Sequence, residues 1–194
     1  MKTSDKNELK ILSFKTRGEF EKWLAKNHNL PNTIWLRFFK KNSGEKTITY
    51  DQALDEALCY GWIDGQLKKY DDHSWIRKFT PRSHKSIWSK RNTDRIERLA
   101  AIGKMKLAGL AAVEKAKADG RWTRAYDSPG KMNIPADFMK ELSKNKNAMT
   151  FFESLNRANK YSITWRLQTA KKPETREKRK KLILEMLSKG QKFH

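Results

Sequence analysis

The pattern of the chain changes at one short stretch, and this change constrains the fold more than any other feature. Helical periodicity and runs of β-forming residues both occur before residue 127, whereas only helical periodicity follows residue 130. The stretch itself consists of turn formers, namely Asp127, Ser128, Pro129 and Gly130. We therefore predict a domain of mixed structure at residues 1–126, a linker at 127–133 and a helical C-terminal module at 134–194.

Capping signals place two helices in the first domain. Thr16 followed by Glu19 forms a capping box, and apolar residues then recur at helical spacing. Thr49 with Gln52 forms a second capping box, and Gly61 stands where the C-terminal glycine of that helix is expected.

Runs of β-forming residues predict three strands in the same domain. The first covers residues 34–39 and is followed by turn formers. The runs at 62–70 and 74–80 are separated by three polar residues, which indicates an antiparallel hairpin. The predicted fold class is thus α+β, with a small antiparallel sheet packed with helices and a small all-α C-terminal domain.

Helical patterns fill the remainder of the chain. Two precede the linker, near residues 96–102 and 107–118, and several follow it. Pro173 fits the first turn of the last helix, which ends near Gly190.

Positive charge is the main clue to binding partners. The 194 residues include 43 Lys and Arg against 22 Asp and Glu, a net charge of +21. Residues 1–65 are nearly balanced, with 11 basic and 9 acidic side chains, so the excess follows Asp64. Such a balance favours an anionic partner, which could be a small molecule, an acidic protein surface or nucleic acid.

Several function classes are excluded by what the chain lacks. Hydrophobic residues make up 37%, enough for a core, so wholesale disorder is not expected. The single cysteine, Cys59, cannot form an intramolecular disulfide or a cysteine-built metal site. The four histidines lack ligand spacing, and no common nucleotide-binding or zinc-hydrolase motif is present. Without a membrane span or a secretory leader, the chain is expected to be cytoplasmic, with no metal and no cofactor.

A glycine-flanked motif at residues 61–65 is the first candidate site. Trp62 could offer a stacking surface, and Asp64 could accept a hydrogen bond or act as a base. The alternative is architectural, with Trp62 in the core and Asp64 paired with a nearby arginine such as Arg77 or Arg82.

The segment that follows, residues 79–92, combines hydroxyl and cationic side chains just before a predicted helix. A helix N-terminus with serines and arginines is suited to a phosphate or carboxylate, although serines there are also ordinary N-caps. The combined candidate ligand site comprises Trp62, Asp64, Arg77, Arg82, Ser86, Trp88, Lys90 and Asn92. No catalytic residue is assigned, since Cys59 lies in an apolar helix typical of core.

The last helix presents a basic run near its beginning, where the helix dipole disfavours cations. This placement indicates a surface for an anionic partner, or a solvated helix whose apolar side packs on the module. The candidate partner-binding residues are Lys171, Arg176, Arg179 and Lys180.

The motifs also resemble a known family. The runs at 57–65, 79–82, 86–92 and 103–105, together with 170–176 and the basic pair after it, resemble the bacterial YdeI/OmpD-associated family, also described as bacteriocin-protection proteins. The resemblance implies a cytoplasmic protein with association or protection functions. It brings no reaction, cofactor or catalytic residue.

Three functions are compatible with these observations. The first is a binding or stress-protection module that recognises an anionic small ligand or acidic partner through a basic, aromatic face. The second is a non-specific nucleic-acid-binding protein, which the net charge favours although no recognition motif is present. The third is an enzyme of unknown reaction centred on Asp64 or on the segment Ser83–Asn92.

Overall fold

The computed structural model describes residues 10–128 and 130–193, and these form two units. The first unit consists of the described residues up to 86 together with 92–123. The second consists of 87–91 together with the described residues from 124 onward. Three parts of the chain lie outside the described residues, namely residues 1–9, Pro129 and His194. The prediction that a secretory leader is absent falls on the first of these parts, and Pro129 belongs to the predicted linker. The domain boundaries derived from the sequence stay a prediction.

A four-stranded sheet forms the centre of the first unit, with helices before and after its strands. Its elements are β1 (Ile11–Leu12), α1 (Arg17–Asn27), β2 (Ile34–Phe39), α2 (Tyr50–Cys59), β3 (Trp62–Lys69), β4 (Ser74–Pro81), α3 (Lys90–Ala101) and α4 (Leu107–Ala118). Helix α3 belongs to the first unit from residue 92 onward. The α+β class is confirmed.

The sheet is mixed, which corrects the prediction of an antiparallel sheet. The strand order is β1-β2-β4-β3, and the β2–β4 and β3–β4 pairs are antiparallel as expected for the hairpin. Strand β1 pairs with β2 in parallel because α1 crosses over between them. A strand of two residues is too short to show an alternating pattern, so β1 could not be predicted from the sequence.

The capping signals are realised in the structure. Thr49 and Gln52 form a complete capping box at the start of α2. Thr16 accepts a hydrogen bond from the backbone N–H of Glu19, whereas the Glu19 carboxylate accepts from the N–H of Lys15 rather than from the cap residue. Only one of the two hydrogen bonds of a capping box, the one that Thr16 accepts, is therefore present at the start of α1.

Two glycines allow α2 and α4 to approach at backbone distance. A Cβ at Gly109 would lie 2.2 Å from the carbonyl oxygen of Cys59, far inside any real contact. Gly61 follows α2 with φ +74°, and a Cβ there would lie 2.9 Å from the carbonyl oxygen of Ala108. The glycine that opens the 61–65 motif is therefore required by the packing around it.

Aromatic side chains dominate the core of the first unit. Phe20 of α1 packs edge-on against Phe79 of β4, with ring centroids 6.1 Å apart. The Trp23 and Trp62 rings meet at 88° with centroids 5.8 Å apart. Such edge-to-face contacts fix ring orientation as well as burying area.

The second unit is helical beyond residue 134. Its helices are α5 (Ala136–Leu142), α6 (Lys146–Ser154), α7 (Arg157–Gln168) and α8 (Pro173–Ser188). One apolar cluster forms its core, consisting of Phe138, Leu142, Ala148, Phe152, Leu155, Ile163, Leu167, Ile183 and Leu187. Residues 87–91 group with this unit because the backbone of Trp88 and Lys90 bonds to both sides of Tyr126. Among the described residues, no helix is both long and apolar enough to cross a bilayer.

Candidate ligand-binding cleft

A cleft of about 460 Å³ opens beside the N-terminus of α2 in the first unit. The end of β2, the start of β4 and the connection between β2 and α2 enclose it. Its lining consists of Phe38, Phe39, Lys40, Lys41, Glu45, Lys46, Thr47, Ile48, Thr49, Tyr50 and Trp75. We refer to it as the basic aromatic cleft.

Strand register builds the aromatic wall of the cleft. Phe38 of β2 and Trp75 of β4 are direct partners in the antiparallel pair, so their side chains emerge on the same face. Their rings stack with centroids 4.5 Å apart and planes within 18°. Tyr50, the first residue of α2, adds a third ring at 6.2 Å from Trp75.

The loop from residue 40 to 49 carries the basic wall. A 3-10 turn at Lys41–Ser43 ends at Gly44, whose φ of +75° reverses the chain at no steric cost. The loop is anchored beyond the turn by Ile48, which is buried and whose N–H donates to the carbonyl of Phe14. Lysines thereby stand on both sides of a fixed turn.

An ion pair behind the cleft holds the Tyr50 ring in place. The Tyr50 hydroxyl donates to Asp64 Oδ2 at 2.7 Å, and the Arg77 guanidinium pairs with the same carboxylate. Arg77 also lies over the Tyr50 ring, 4.7 Å from its centroid. Because the Asp64 side chain is 11% exposed, this network is largely shielded from water.

The cleft carries uncompensated positive charge. Lys40, Lys41 and Lys46 are exposed, and within the described ranges none of them forms an ion pair with a carboxylate. One acidic residue, Glu45, shares the lining, which gives it a formal charge of +2. Ammonium groups beside aromatic rings can hold an anion while the rings contact an apolar part of the same ligand.

The structure brings together two of the predicted ligand-site residues, Asp64 and Arg77, as the ion pair behind the cleft. Trp62 instead lies in the core at 1% exposure, and its indole N–H donates to the carbonyl oxygen of His28 at 3.0 Å. A ring so deeply buried offers no open face for stacking. The backbone N–H of Arg82 bonds to the carbonyl of Gly61, which places it beside the same motif.

The hydroxyls of the predicted anion-binding segment are engaged in a local turn. Ser86 Oγ accepts from the N–H of Ser83 at 3.1 Å, and the two serine hydroxyls lie 3.2 Å apart. Arg121, which is buried, donates to the carbonyl of Ser86 at 3.0 Å. Asn92 is half-buried in α3. Arg121 was not predicted as a site residue, because nothing in the residues around it marks a side chain that anchors a distant loop.

Trp88 and Lys90 belong to the second unit. Trp88 is 2% exposed, and the ammonium of Lys90 pairs with Asp127 at 2.7 Å. Hydrogen bonds from Lys90 and then Gln168 lower the pKa of the Asp127 carboxyl below its ordinary value. The eight-residue ligand site taken as a whole stays a prediction.

Three of the four predicted partner-binding cations have internal partners. Arg176 forms two hydrogen bonds of 2.7 Å with Asp137. These bonds, with a smaller contribution from Lys180, strongly lower the pKa of the Asp137 carboxyl. Lys180 pairs with Glu177 at 2.9 Å as well. Arg179 donates to the carbonyl of Arg166 at the end of α7. Lys171 is exposed.

Cys59 is unsuited to nucleophilic chemistry. The side chain is 1% exposed, and burial, with a smaller contribution from Glu56, raises the pKa of the thiol to about 12. At neutral pH the group is therefore a thiol rather than the reactive thiolate. Within the described part of the chain, no cluster of three potential metal-ligating side chains occurs.

The cleft residues Lys40, Lys41, Lys46 and Trp75 were not assigned to a site from the sequence. In the sequence, Lys41 belongs to the turn formers that follow the first predicted strand, and Trp75 belongs to the predicted strand at 74–80. The available signal was the pair of lysines before the turn with a third lysine after it. Only the β2–β4 register shows that an aromatic ring lies beside them.

Comparison with known proteins identifies two family regions in the chain. The family described as Domain of unknown function (DUF8412) matches residues 12–112, and the family described as Bacteriocin-protection, YdeI or OmpD-Associated matches residues 131–190. The C-terminal motif that carried the predicted resemblance lies in the second region, whereas the motifs before residue 106 lie in the first. No curated protein and no solved structure matches the chain.

The second match confirms the predicted YdeI/OmpD-associated relationship for the helical part of the chain. The first match spans more than half of the 194 residues and includes the whole basic aromatic cleft. The chain therefore belongs to the family described as Domain of unknown function (DUF8412) and carries a Bacteriocin-protection, YdeI or OmpD-Associated region at its C-terminal end.

Proposed function

We propose that this protein is a binding module whose first unit takes a small anionic ligand in the basic aromatic cleft. One observation carries the proposal. Three lysines without a carboxylate partner in the described ranges line a cavity of about 460 Å³ that has an aromatic wall. This volume lies within the usual range for small-molecule sites.

The cleft is a better candidate than the segment before α3. There, Ser83 and Ser86 use their hydroxyls in their own turn, and Arg121 binds the carbonyl of Ser86. In the cleft, by contrast, the ammonium groups have no such internal use. An incoming anion would gain charge-assisted hydrogen bonds without breaking existing ones.

The wider setting of this binding function is also part of the proposal. The family that matches the C-terminal region is described by bacteriocin protection, which supports a protective role. A lone buried cysteine suits a reducing compartment, so we place the protein in the cytoplasm.

Isothermal titration with inorganic pyrophosphate tests the cleft directly. The triple substitution Lys40→Ala, Lys41→Ala and Lys46→Ala should weaken binding at least tenfold, because it removes every cation of the lining. The matched control is Lys22→Ala, Lys26→Ala and Lys115→Ala, which removes the same charge from exposed positions of the same unit. Pyrophosphate affinity should change less than twofold in this control.

Two results would contradict the proposal. Absence of pyrophosphate binding to the native chain would remove it outright. Equal weakening by both triple variants would assign the binding to overall charge. A gel shift with duplex DNA that falls by orders of magnitude with added salt, and falls equally in both variants, would then favour non-specific nucleic-acid binding.

A further inference from the structure

We infer that the ligand of the basic aromatic cleft is a nucleotide, with its base stacked on Trp75 and its phosphates among Lys40, Lys41 and Lys46. This inference rests on the proposed anion-binding function and specifies its ligand. The cleft offers an aromatic surface and a cationic surface side by side. A nucleoside diphosphate presents the two complementary groups, a flat base and a polyanionic tail.

Trp75 presents part of its side chain to the cleft. One face packs against Phe38 at a centroid distance of 4.5 Å, and the Tyr50 ring meets it at a tilt of 56°. Lys69 is the direct partner of Trp75 on β3, and within the described part of the chain no further ring and no cation lies over the indole. The side chain is half-buried, so its position is fixed while part of its surface reaches the cleft.

The neighbouring ring is held rigidly, which lowers the entropic cost of stacking. Tyr50 is fixed through its hydroxyl by Asp64 and through its ring by Arg77, which lies 4.7 Å from the centroid. A ring that is already ordered loses little freedom when a planar ligand arrives. The predicted Asp64 and Arg77 therefore act as positioning residues for the aromatic wall.

Charge and size favour a mononucleotide over a nucleic-acid strand. The formal charge of +2 belongs to one cavity, and all three lysines stand within the seven residues 40–46. Strand binding instead requires a basic groove that continues over several nucleotides. The compact cationic wall matches a diphosphate.

The test compares ADP with inorganic pyrophosphate, two probes with similar anionic groups of which only ADP carries a nucleoside. Isothermal titration of the full chain should give about tenfold tighter binding for ADP, as expected for one base stacked on one indole. Trp75→Leu should abolish this preference and leave pyrophosphate affinity unchanged. Tyr70→Leu, which removes an exposed aromatic side chain outside the lining, should leave the preference intact.

A second measurement keeps the inference testable if Trp75→Leu does not fold. Trp75→Phe retains a ring, and ADP should quench the intrinsic fluorescence of the native chain but not that of this variant. Equal affinities for ADP and pyrophosphate, both lost in the triple lysine variant, would overturn the nucleotide assignment and keep the anion site. Absence of binding by both probes would overturn the two together.

Discussion

The first unit contains one ion pair that is much more deeply buried than a comparable pair of the second unit. In the first unit, Glu56 of α2 is 5% exposed in its side chain and pairs with Arg17 of α1. In the second unit, Asp137 is 47% exposed and pairs with Arg176. A buried carboxylate depends on its partner for stability, whereas a half-exposed one is already solvated by water. An arginine–carboxylate pair therefore contributes differently in the two places.

The cleft adds a third condition, cations that are exposed and that have no carboxylate partner among the described residues. Net charge alone pointed away from it, because the lysines at 40–46 lie in the nearly balanced first third of the chain, whereas the C-terminal basic run was a predicted partner surface. Arg176, Arg179 and Lys180 are engaged within their own unit. A cation indicates a binding site only where the fold provides no internal partner for its charge.

The largest effect is expected from the buried pair. Arg17→Ala leaves Glu56 buried without its guanidinium, and should lower the free energy of unfolding by about 2–3 kcal/mol. Arg17 also joins α1 to α2, so the loss should appear in the transition of the first unit. Urea denaturation of the full chain, followed by tryptophan fluorescence and by circular dichroism, measures it.

Arg98→Ala is the matched control for this prediction. Arg98 is 57% exposed and shares Asp55 with Arg95, which keeps its own 2.8 Å contact after the substitution. The expected cost is at most about 0.5 kcal/mol. If Arg17→Ala and Arg98→Ala lowered the free energy of unfolding equally, burial would not determine how much an ion pair stabilises this protein.

Local signals predicted most of the first unit. The Thr49 capping box, the strand at 34–39 and the hairpin are confirmed, since each depends on residues close together in the sequence. Strand β1 was missed because it is defined by its pairing with β2. The approach of α4 to α2 at Gly109 was missed for the same reason, since it depends on Cys59, fifty residues earlier.

The candidate site was less accessible to sequence reasoning. The pairing of Asp64 with a nearby arginine was weighed, and Arg77 is that partner. The association of Trp75 with lysines some thirty residues earlier depends on the β2–β4 register. Composition predicted a basic and aromatic surface, but it gave no means of locating one along the chain.

A smaller and pH-dependent effect is expected from the exposed pair. Asp137→Asn should lower the free energy of unfolding by about 0.5–1 kcal/mol at pH 7, a value that allows for solvent screening. Hydrogen bonds from Arg176 depress the pKa of Asp137 in the folded state below its ordinary value of 3.8. The contribution of the Asp137 carboxylate to the free energy of unfolding is therefore complete above about pH 4 and decreases as the pH falls further.

Urea denaturation at several pH values between 2 and 7 tests this dependence. The stability difference between the native chain and Asp137→Asn should stay constant from pH 7 to about pH 5 and shrink below pH 4. Glu153→Gln, at an exposed carboxylate of the same unit that forms no ion pair among the described residues, serves as the control and should leave stability unchanged. A difference that grew on acidification would contradict the assignment.

The smallest effect is expected from the exposed lysines of the C-terminal unit. Lys171→Ala, Lys178→Ala and Lys181→Ala together remove as much charge as the triple variant of the cleft, from positions that are also exposed. If anion binding depends on the cleft, pyrophosphate affinity should change less than twofold in 0.15 M salt, where screening extends over about 8 Å. Isothermal titration under the conditions used for the cleft variants provides the comparison. A tenfold loss would show that net charge, and not the geometry at Lys40, Lys41 and Lys46, determines anion binding by this protein.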